Sequence, residues 1–204
     1  MATPLAISPD GYEAQLQTNY LAHWLLTHHL TPLLLSTSSP TAAPGNVRIV
    51  NVTSMGHASA PKGGIQFSDI NQLRGGPWSR YGQSKLANIL HARELARLYG
   101  AQGIWTAATH PGNVDTGLSR NSANIGWLSS TAAPILRCLG VVITAEKAAA
   151  TPVWAATSGD LVSGAYLVPV AKVGKESKEA KDVELGKKLW AWTEGEMRTK
   201  GLLD

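Results

Sequence analysis

The fold of this chain is decided by the stretch Val47-Arg48-Ile49-Val50-Asn51-Val52, which Thr53-Ser54 follows. The stretch is short and rich in β-branched residues, as expected for a strand that is covered on both faces. Apolar residues at helical spacing run from about Tyr81 to Tyr99, where Gly100 ends the pattern. A second apolar strand, Ile104 to Thr109, comes after that helix. A strand, a helix and a strand of these lengths predict a βαβ unit and a parallel sheet.

The same alternation continues on both sides of this unit. Upstream, Tyr12 to Leu35 repeats apolar residues at helical spacing. Downstream, an alanine-rich helix from Thr144 to Thr157 precedes a third strand, Gly164 to Val170, and then an amphipathic helix from Glu179 to Thr199. Right-handed crossovers place helices on both faces of such a sheet. We therefore predict one α/β domain over residues 1–204, with a doubly wound parallel sheet of three strands.

Composition excludes several function classes. Of the 204 residues 44% are hydrophobic, which is enough for one core. The net charge is +4, and six lysines between Lys172 and Lys188 alternate with acidic residues. That alternation is typical of a solvated helix face, so we expect no nucleic-acid partner. Cys138 is alone, which rules out an intrachain disulfide framework. The six histidines lack metal-ligand spacing, so no metal site is expected.

The most apolar long run, Leu21 to Leu35, contains three histidines and Pro32. It is too short and too polar to span a bilayer. The first nine residues lack the basic start and apolar stretch of a signal peptide. We expect a cytoplasmic protein without a membrane span.

Tyr81 and Lys85 are four residues apart on the predicted central helix, so their side chains share one face. An ammonium group near a phenol favours the phenolate and lowers the phenol pKa from its usual value of about 10. The pair would therefore make Tyr81 a usable proton donor or acceptor near neutral pH. By itself this spacing is weak evidence for a proton-transfer site, because most tyrosine–lysine pairs at helical spacing are surface residues.

The neighbouring strands strengthen the case for a site. Ser54 follows the first strand, and His110-Pro111-Gly112 follows the next. The carboxyl ends of parallel strands meet at one edge of a sheet, where ligands gather. Two strand ends and the start of the Tyr81 helix therefore converge on one crevice.

These motifs together resemble the short-chain dehydrogenase/reductase family, in its retinol-dehydrogenase-like and WW-domain-oxidoreductase-like branch. The matching segments are Thr18-Asn19-Tyr20-Leu21-Ala22-His23, Asn51-Val52-Thr53-Ser54, Tyr81-Gly82-Gln83-Ser84-Lys85-Leu86-Ala87-Asn88 and His110-Pro111-Gly112-Asn113-Val114-Asp115-Thr116. The tail from Gly164-Ala165-Tyr166 to Lys188-Leu189-Trp190-Ala191-Trp192 is similar to fungal members. The resemblance implies the carboxyl-terminal part of a Rossmann-like fold and an NAD(P)-dependent oxidoreductase, with a possible place in fungal secondary metabolism.

The resemblance also implies roles for four catalytic residues. Tyr81 would exchange a proton with the substrate oxygen, and Lys85 would lower the Tyr81 pKa. Ser54 would bond the substrate oxygen and the tyrosine. Asn19 would anchor a water that links Lys85 to solvent.

The implied cofactor is NADP or NAD. Tyr81 and Lys85 would contact the nicotinamide ribose, and Val114 and Thr116 would contact the carboxamide. The segment from Leu118 to Leu139 occupies the place of the family's substrate loop. If it lines the pocket, the substrate is a largely apolar small molecule in which an alcohol and a carbonyl interconvert.

The family's glycine-rich phosphate loop, Thr-Gly-x-x-x-Gly-x-Gly, and its Asn-Asn-Ala-Gly segment do not occur in this sequence, where Gly11 is the first glycine. At about 30 residues per βα unit, the family's preceding units amount to roughly 90 residues. The resemblance thus implies a chain truncated at its amino-terminal side, which we expect to bind NAD(P)H poorly.

Three interpretations of this departure stay open. In the first interpretation, the functional enzyme is longer than this chain and carries out the chemistry of the family. Alternatively, the chain uses Ser54, Tyr81 and Lys85 for cofactor-independent proton transfer, as an isomerase, cyclase or dehydratase. The third is a non-catalytic remnant or binding protein.

Strand Val47 to Val52 would lie beside a family strand that is absent from this sequence. We therefore expect an open, apolar sheet edge there. Such an edge is a template for pairing with another chain, which predicts self-association of the chain as given.

Overall fold

The computed structural model of the chain describes residues 1–38, 45–114 and 143–203. Within these residues one four-stranded sheet forms. In order along the sheet, its strands are β1 (Val47–Val52), β2 (Ile104–Thr109), β3 (Ala165–Val168) and β4 (Lys172–Val173). The first three are parallel, as predicted, and β4 runs antiparallel to β3.

Strands β1 and β2 have the predicted bounds. Strand β3 is shorter than the predicted Gly164 to Val170, because the chain turns back through Ala171, which has a φ of 55°. The turn lets Lys172 pair with Val168, and β4 is the result. A strand of two residues leaves no periodic pattern, so sequence reasoning had no signal for it.

The register aligns the carboxyl ends of the three parallel strands. Val52 lies opposite Thr109, which in turn lies opposite Leu167. The residues that follow these three positions therefore leave the sheet side by side. This alignment is what brings distant parts of the sequence to one edge.

The described residues form five α-helices. They are α1 (Ala14–Leu16), α2 (Ala22–Thr37), α3 (Pro77–Tyr99), α4 (Ala145–Thr157) and α5 (Val183–Thr199). Short helical turns occupy Gln17–Leu21, Met55–Ser59, Phe67–Asp69, Gly100–Gln102 and Glu179–Lys181. Helix α3 begins at Pro77, four residues before the predicted start, because proline fits the first helical position, where no N–H bond is needed.

Helices cover both faces of the sheet. Successive strand residues point to opposite faces, and Ala107 and Ala108 show which helices lie on each side. Ala108 packs in a core with Leu86, Ile89 and Leu90 of α3. Ala107 packs in a second core with Ala155 of α4. The predicted doubly wound arrangement is therefore confirmed.

The helix predicted from Tyr12 to Leu35 is interrupted. Glu13 caps its start, where the carboxylate accepts from the N–H groups of Gln15 and Leu16. Gln17–Leu21 then forms a π-helical turn before α2 continues. Single π turns inside α-helices occur frequently at functional sites. This one carries Asn19.

Two surfaces keep apolar groups in solvent. Strand β1 is an end strand of the described sheet, and its Val52 is 48% exposed. On α2, Leu26 and Leu33 are 59% and 62% exposed. None of the described helices combines the length and hydropathy that a bilayer crossing demands.

Candidate active site

The parallel pairing continues just beyond the strand ends. The Thr53 N–H donates to the Thr109 carbonyl at 2.9 Å, and the His110 N–H donates to the Leu167 carbonyl at 2.7 Å. Ser54 and His110 therefore leave the sheet at the same edge, as the sequence predicted.

Tyr81 and Ser54 meet across Gly56. A Cβ atom placed on Gly56 would lie 2.7 Å from Tyr81 Cε1 and 3.3 Å from Ser54 Oγ. The Ser54 hydroxyl accepts from the Gly56 N–H at 3.0 Å, which fixes the serine at the start of turn Met55–Ser59. Tyr81 is 6% exposed, with the Trp78 ring edge-on at 6.1 Å. The site thus holds a buried phenol beside a serine hydroxyl.

Lys85 lies one helical turn from Tyr81. Its ammonium is 5.9 Å from the centroid of the Tyr81 ring and donates to the Val52 carbonyl at 3.1 Å. Burial lowers the Lys85 pKa from 10.5 to about 8. An ammonium has three donors, so the Val52 bond leaves two for another acceptor.

The expected lowering of the Tyr81 pKa is wrong for this structure. Burial raises the pKa of the Tyr81 phenol, and a hydrogen bond with the Ser54 side chain opposes that rise without cancelling it. The reason lies in the Lys85 position. Its ammonium is bonded to the strand end rather than to the phenol oxygen. Tyr81 is therefore a protonated phenol, ready to donate, at neutral pH.

Asn19 reaches the site by a different route from the one implied by the resemblance. Its amide donates to Ser84 Oγ at 2.9 Å, and that hydroxyl donates to the Tyr81 carbonyl at 2.8 Å. The π turn that carries Asn19 is thereby tied to the helical turn that carries Tyr81. The water-mediated link from Asn19 to Lys85 stays a prediction.

Of the two residues expected to contact the carboxamide, the structure describes only Val114. Val114 follows the Pro111-Gly112 turn and forms a parallel bridge with Ile143. Gly112 has a φ of 98°, and a Cβ there would lie 2.7 Å from Ile143 Cδ1. Thr116 and the predicted substrate loop, Leu118 to Leu139, lie outside the described residues.

A cavity of about 550 Å³ opens at this edge of the sheet. Its volume is within the usual range for small-molecule sites. The walls come from all three strand ends and from segment 175–177, and they include Met55, His57, His110, Gly112, Val168 and Ser177. The apolar part of the wall includes the side chains of Met55, Ile143, Val168 and Pro169.

Three residues with a bearing on the site escaped sequence reasoning. Thr53 donates to the Lys85 carbonyl at 2.7 Å and so fixes the helix against β1. A Cβ on Gly82 would lie 2.5 Å from the Ala60 nitrogen, so only glycine lets turn Met55–Ser59 approach α3 this closely. His57, one of the six histidines without metal-ligand spacing, joins Ser54 to the cavity wall. For Gly82, its place beside Tyr81 was an available signal.

Among the residues that the structure covers, no cluster of three His, Cys, Asp or Glu side chains could hold a metal ion. No protein-family model matches the chain. Curated proteins that are similar to it include the following two. The short-chain dehydrogenase/reductase drtF of Aspergillus calidoustus is 47% identical over 100% of this chain and 67% of its own length. Human retinol dehydrogenase 13 is 36% identical over 94% of this chain and 56% of its own length.

Solved structures share the fold. An uncharacterized protein from Mycobacterium paratuberculosis superposes with a TM-score of 0.66 at 29% identity, covering 97% of this chain and 63% of that one. The NADPH-bound carbonyl reductase from chicken fatty liver gives a TM-score of 0.52 at 21% identity, covering 85% of this chain and 60% of that one. The chain spans about half to two thirds of the length of the curated relatives that it matches.

Proposed function

The chain belongs to the short-chain dehydrogenase/reductase family, and from that premise we propose that it carries the catalytic residues of an NAD(P)-dependent oxidoreductase. The reaction interconverts an alcohol and a carbonyl group on a largely apolar small molecule. One observation carries the proposal: Ser54, Tyr81 and Lys85 come together at the carboxyl edge of a parallel sheet, and the turn that follows Ser54 contributes Met55 and His57 to the wall of the cavity. Fungal relatives such as drtF are named as short-chain dehydrogenase/reductases, and a place in fungal secondary metabolism stays a prediction.

The proton chemistry follows from the states of these three side chains. In the reductive direction, the substrate oxygen accepts the Tyr81 phenol proton as negative charge develops on it. Ser54 can donate to the same oxygen, which stabilises the developing charge. Because burial keeps Tyr81 protonated and brings the Lys85 pKa to about 8, the lysine can return a proton to the phenolate near neutral pH.

The residues present fit the nicotinamide end of the implied cofactor. Lys85 has two N–H donors left for the ribose hydroxyls, and Tyr81 lies beside it. Val114 and Thr116 are the proposed carboxamide contacts. When bound, a nicotinamide cofactor supplies or accepts the hydride. The pyrophosphate end is not matched, since this sequence has no glycine-rich loop that leads from a strand into a helix N-terminus.

The same three side chains support a second candidate function. Tyr81, Ser54 and Lys85 bring a phenol, a hydroxyl and an ammonium group together. A cofactor-independent isomerase, cyclase or dehydratase would need only these groups. A non-catalytic binding role is the third possibility and would need neither the phenol nor the ammonium.

A single pair of assays distinguishes these functions. The purified chain and its Tyr81→Phe variant are each incubated with a panel of apolar ketones and aldehydes, with and without NADPH or NADH. Turnover that requires a nicotinamide and Tyr81 supports the oxidoreductase. Turnover that requires Tyr81 alone supports proton transfer. Carbonyl reduction that survives the loss of the Tyr81 hydroxyl would overturn its acid/base role.

A further inference from the structure

His57 is a buried ring that is bonded at both nitrogens. It is 3% exposed and lies in the turn Met55–Ser59. Its Nδ1 is 2.7 Å from the Ser54 backbone carbonyl, and its Nε2 accepts from the Ser177 N–H at 3.1 Å. A backbone N–H can only donate, so Nε2 carries no proton and Nδ1–H must be the donor to Ser54. The partners therefore fix one neutral tautomer.

The two bonds join parts of the chain that are 120 residues apart. On one side is the backbone of Ser54, the proposed substrate-binding serine. On the other is segment 175–177, which forms one wall of the cavity. The His57 ring also meets the Tyr166 ring of β3 edge-on at 5.1 Å. The imidazole thus connects the Ser54 backbone to the cavity wall at Ser177.

The wall segment has a second fixed point nearby. Glu176 forms an ion pair with Arg93 of α3. Ser177 Oγ accepts from the Ala180 N–H at 3.3 Å, which orders the entry to turn Glu179–Lys181. Between these two points, the Ser177 N–H turns inward to His57. The wall position next to Ser54 therefore depends on the imidazole.

We propose that His57 is a positioning residue of this active site: as the neutral Nδ1–H tautomer it ties the Ser54 backbone to the cavity wall at Ser177. The proposal rests on the proposed function for the meaning of Ser54, whereas the tie itself is a structural claim. It assigns to His57 a role through Ser54 rather than contact with the reacting atoms.

The tie holds in one protonation state only. Protonation places a second N–H on Nε2, which then faces the Ser177 N–H as donor against donor. Glu176, Glu179 and the Ser54 carbonyl favour the charged His57 ring, and His57 in turn lowers the pKa of His110, which lies close enough to interact electrostatically. Lys175 lines the same cavity, and Tyr166 contributes a ring face. Burial dominates this balance and lowers the His57 pKa below its usual 6.5.

Nuclear magnetic resonance on the ¹⁵N,¹³C-labelled chain tests the proposal without any turnover. At pH 7.5 the long-range ¹H–¹⁵N pattern of His57 should report a protonated Nδ1 and a bare Nε2. As the ring titrates, the Ser177 amide should lose about five- to tenfold of its exchange protection, the worth of one hydrogen bond. The Ser54 carbonyl carbon should shift with the same midpoint, which marks positioning rather than general loosening.

The outcomes are distinct from those of the functional assays. An Nε2–H tautomer, or Ser177 and Ser54 signals that ignore the His57 titration, would overturn the proposal even in an active enzyme. His110 is the internal control, because its Nδ1 accepts from its own loop at Gly112. His57→Phe keeps an aromatic ring against Tyr166, and it should leave Ser177 weakly protected at every pH. Should that variant not fold, the wild-type titration still decides.

Discussion

The Lys85 ammonium donates to the Val52 carbonyl at 3.1 Å. The hydroxyl of Thr53, the residue that follows strand β1, donates to the Lys85 carbonyl at 2.7 Å. The Asn88 amide joins them as a second donor to Val52, at 3.2 Å. The end of β1 and the turn of α3 that carries Tyr81 and Lys85 are therefore held together by side chains from both elements. This lock fixes the proposed proton donor and its lysine relative to the sheet edge.

The lowered Lys85 pKa makes this amine unusually reactive. At pH 8 about half of a group with a pKa of about 8 is neutral, against less than 1% of an ordinary lysine. We expect a dilute acylating reagent to label Lys85 faster than an exposed lysine such as Lys187, by up to on the order of 100-fold. Mass spectrometry of the digested chain measures both rates. Equal labelling would contradict the lowered pKa.

The same shift has a consequence for stability. Because the folded pKa of about 8 lies below the ordinary lysine value of 10.5, the unfolded chain binds more protons between these values. The contribution of Lys85 to the free energy of unfolding should therefore rise with pH from about 8 to 10.5. Lys85→Met should remove that slope in denaturant titrations at several pH values. An unchanged slope would assign it to other groups.

Nicotinamide binding by the chain as given should be weak. Pyrophosphate recognition normally rests on backbone N–H groups at the helix that follows a glycine-rich loop, and this sequence has no such loop. Titration calorimetry with NADPH and with NADH measures the affinity directly. Micromolar binding of either would show that a different set of residues serves the phosphates.

Gly82 should resist replacement although it lies inside a helix. Alanine is normally the better helix residue by about 1 kcal/mol. Here the added methyl group would lie 2.5 Å from the backbone of Ser59 and Ala60, so we expect Gly82→Ala to cost about 1–3 kcal/mol of unfolding free energy. Gly195→Ala in α5 is the matched control, since a Cβ there meets nothing within 4 Å.

Denaturant unfolding of both variants compares the two glycines. Gly195→Ala should be stabilising by up to about 1 kcal/mol. If Gly82→Ala behaved in the same way, the close approach of turn Met55–Ser59 to α3 would be refuted.

Sequence reasoning was strongest where a pattern is local or follows from topology. The bounds of β1 and β2 were predicted because a β-branched run between polar residues has clear ends. The convergence of Ser54 with Tyr81 and Lys85 followed from parallel strands having their carboxyl ends at one edge. Both inferences need no knowledge of distant side-chain contacts.

What sequence reasoning missed depends on such contacts. The raised Tyr81 pKa results from burial by surrounding elements, which outweighs the hydrogen bond with the Ser54 side chain. The His57 bond to Ser177 joins residues whose proximity no periodicity encodes. The π turn at Asn19 shifts the helical register by one residue within an otherwise regular apolar pattern.

Acid should destabilise the chain through His91. This ring is buried between Tyr20 and Trp190, and burial lowers its pKa from 6.5 to about 3. Below pH 6.5 the His91 ring therefore becomes protonated in the unfolded chain but stays neutral in the folded chain. The free energy of unfolding then falls as the pH falls. By pH 5 the cost from this ring alone is about 2 kcal/mol.

Thermal unfolding from pH 7.5 to 5 tests this slope. His91→Phe keeps an aromatic ring in the same position and should flatten the profile by that share, while other histidines with a lowered pKa, such as His23 and His110, still contribute. A profile that the substitution leaves unchanged would place the acid sensitivity elsewhere.

Self-association should follow from the open edge of the sheet. Strand β1 pairs with β2 alone among the described strands, and Val52 is 48% exposed. Such an edge offers unpaired backbone groups to a second chain. Light scattering during size-exclusion chromatography should give a mass above 21.6 kDa. Val52→Lys should reduce association, because an edge lysine opposes strand pairing. A sharp monomer peak from the unmodified chain would contradict the prediction.

The slot around Tyr81 separates two tasks of the site. The ring is confined by Gly56, and Gly82 beside it lets the same turn close on α3, so main-chain atoms set the location of the phenol. The cavity walls, in contrast, include side chains such as Ile143, Val168 and Pro169, supplied by other elements. We therefore expect that exchanging a wall residue for a larger or smaller one changes which molecules fit the cavity without moving Tyr81. Under the proposed function, selectivity and reactivity could then be redesigned independently.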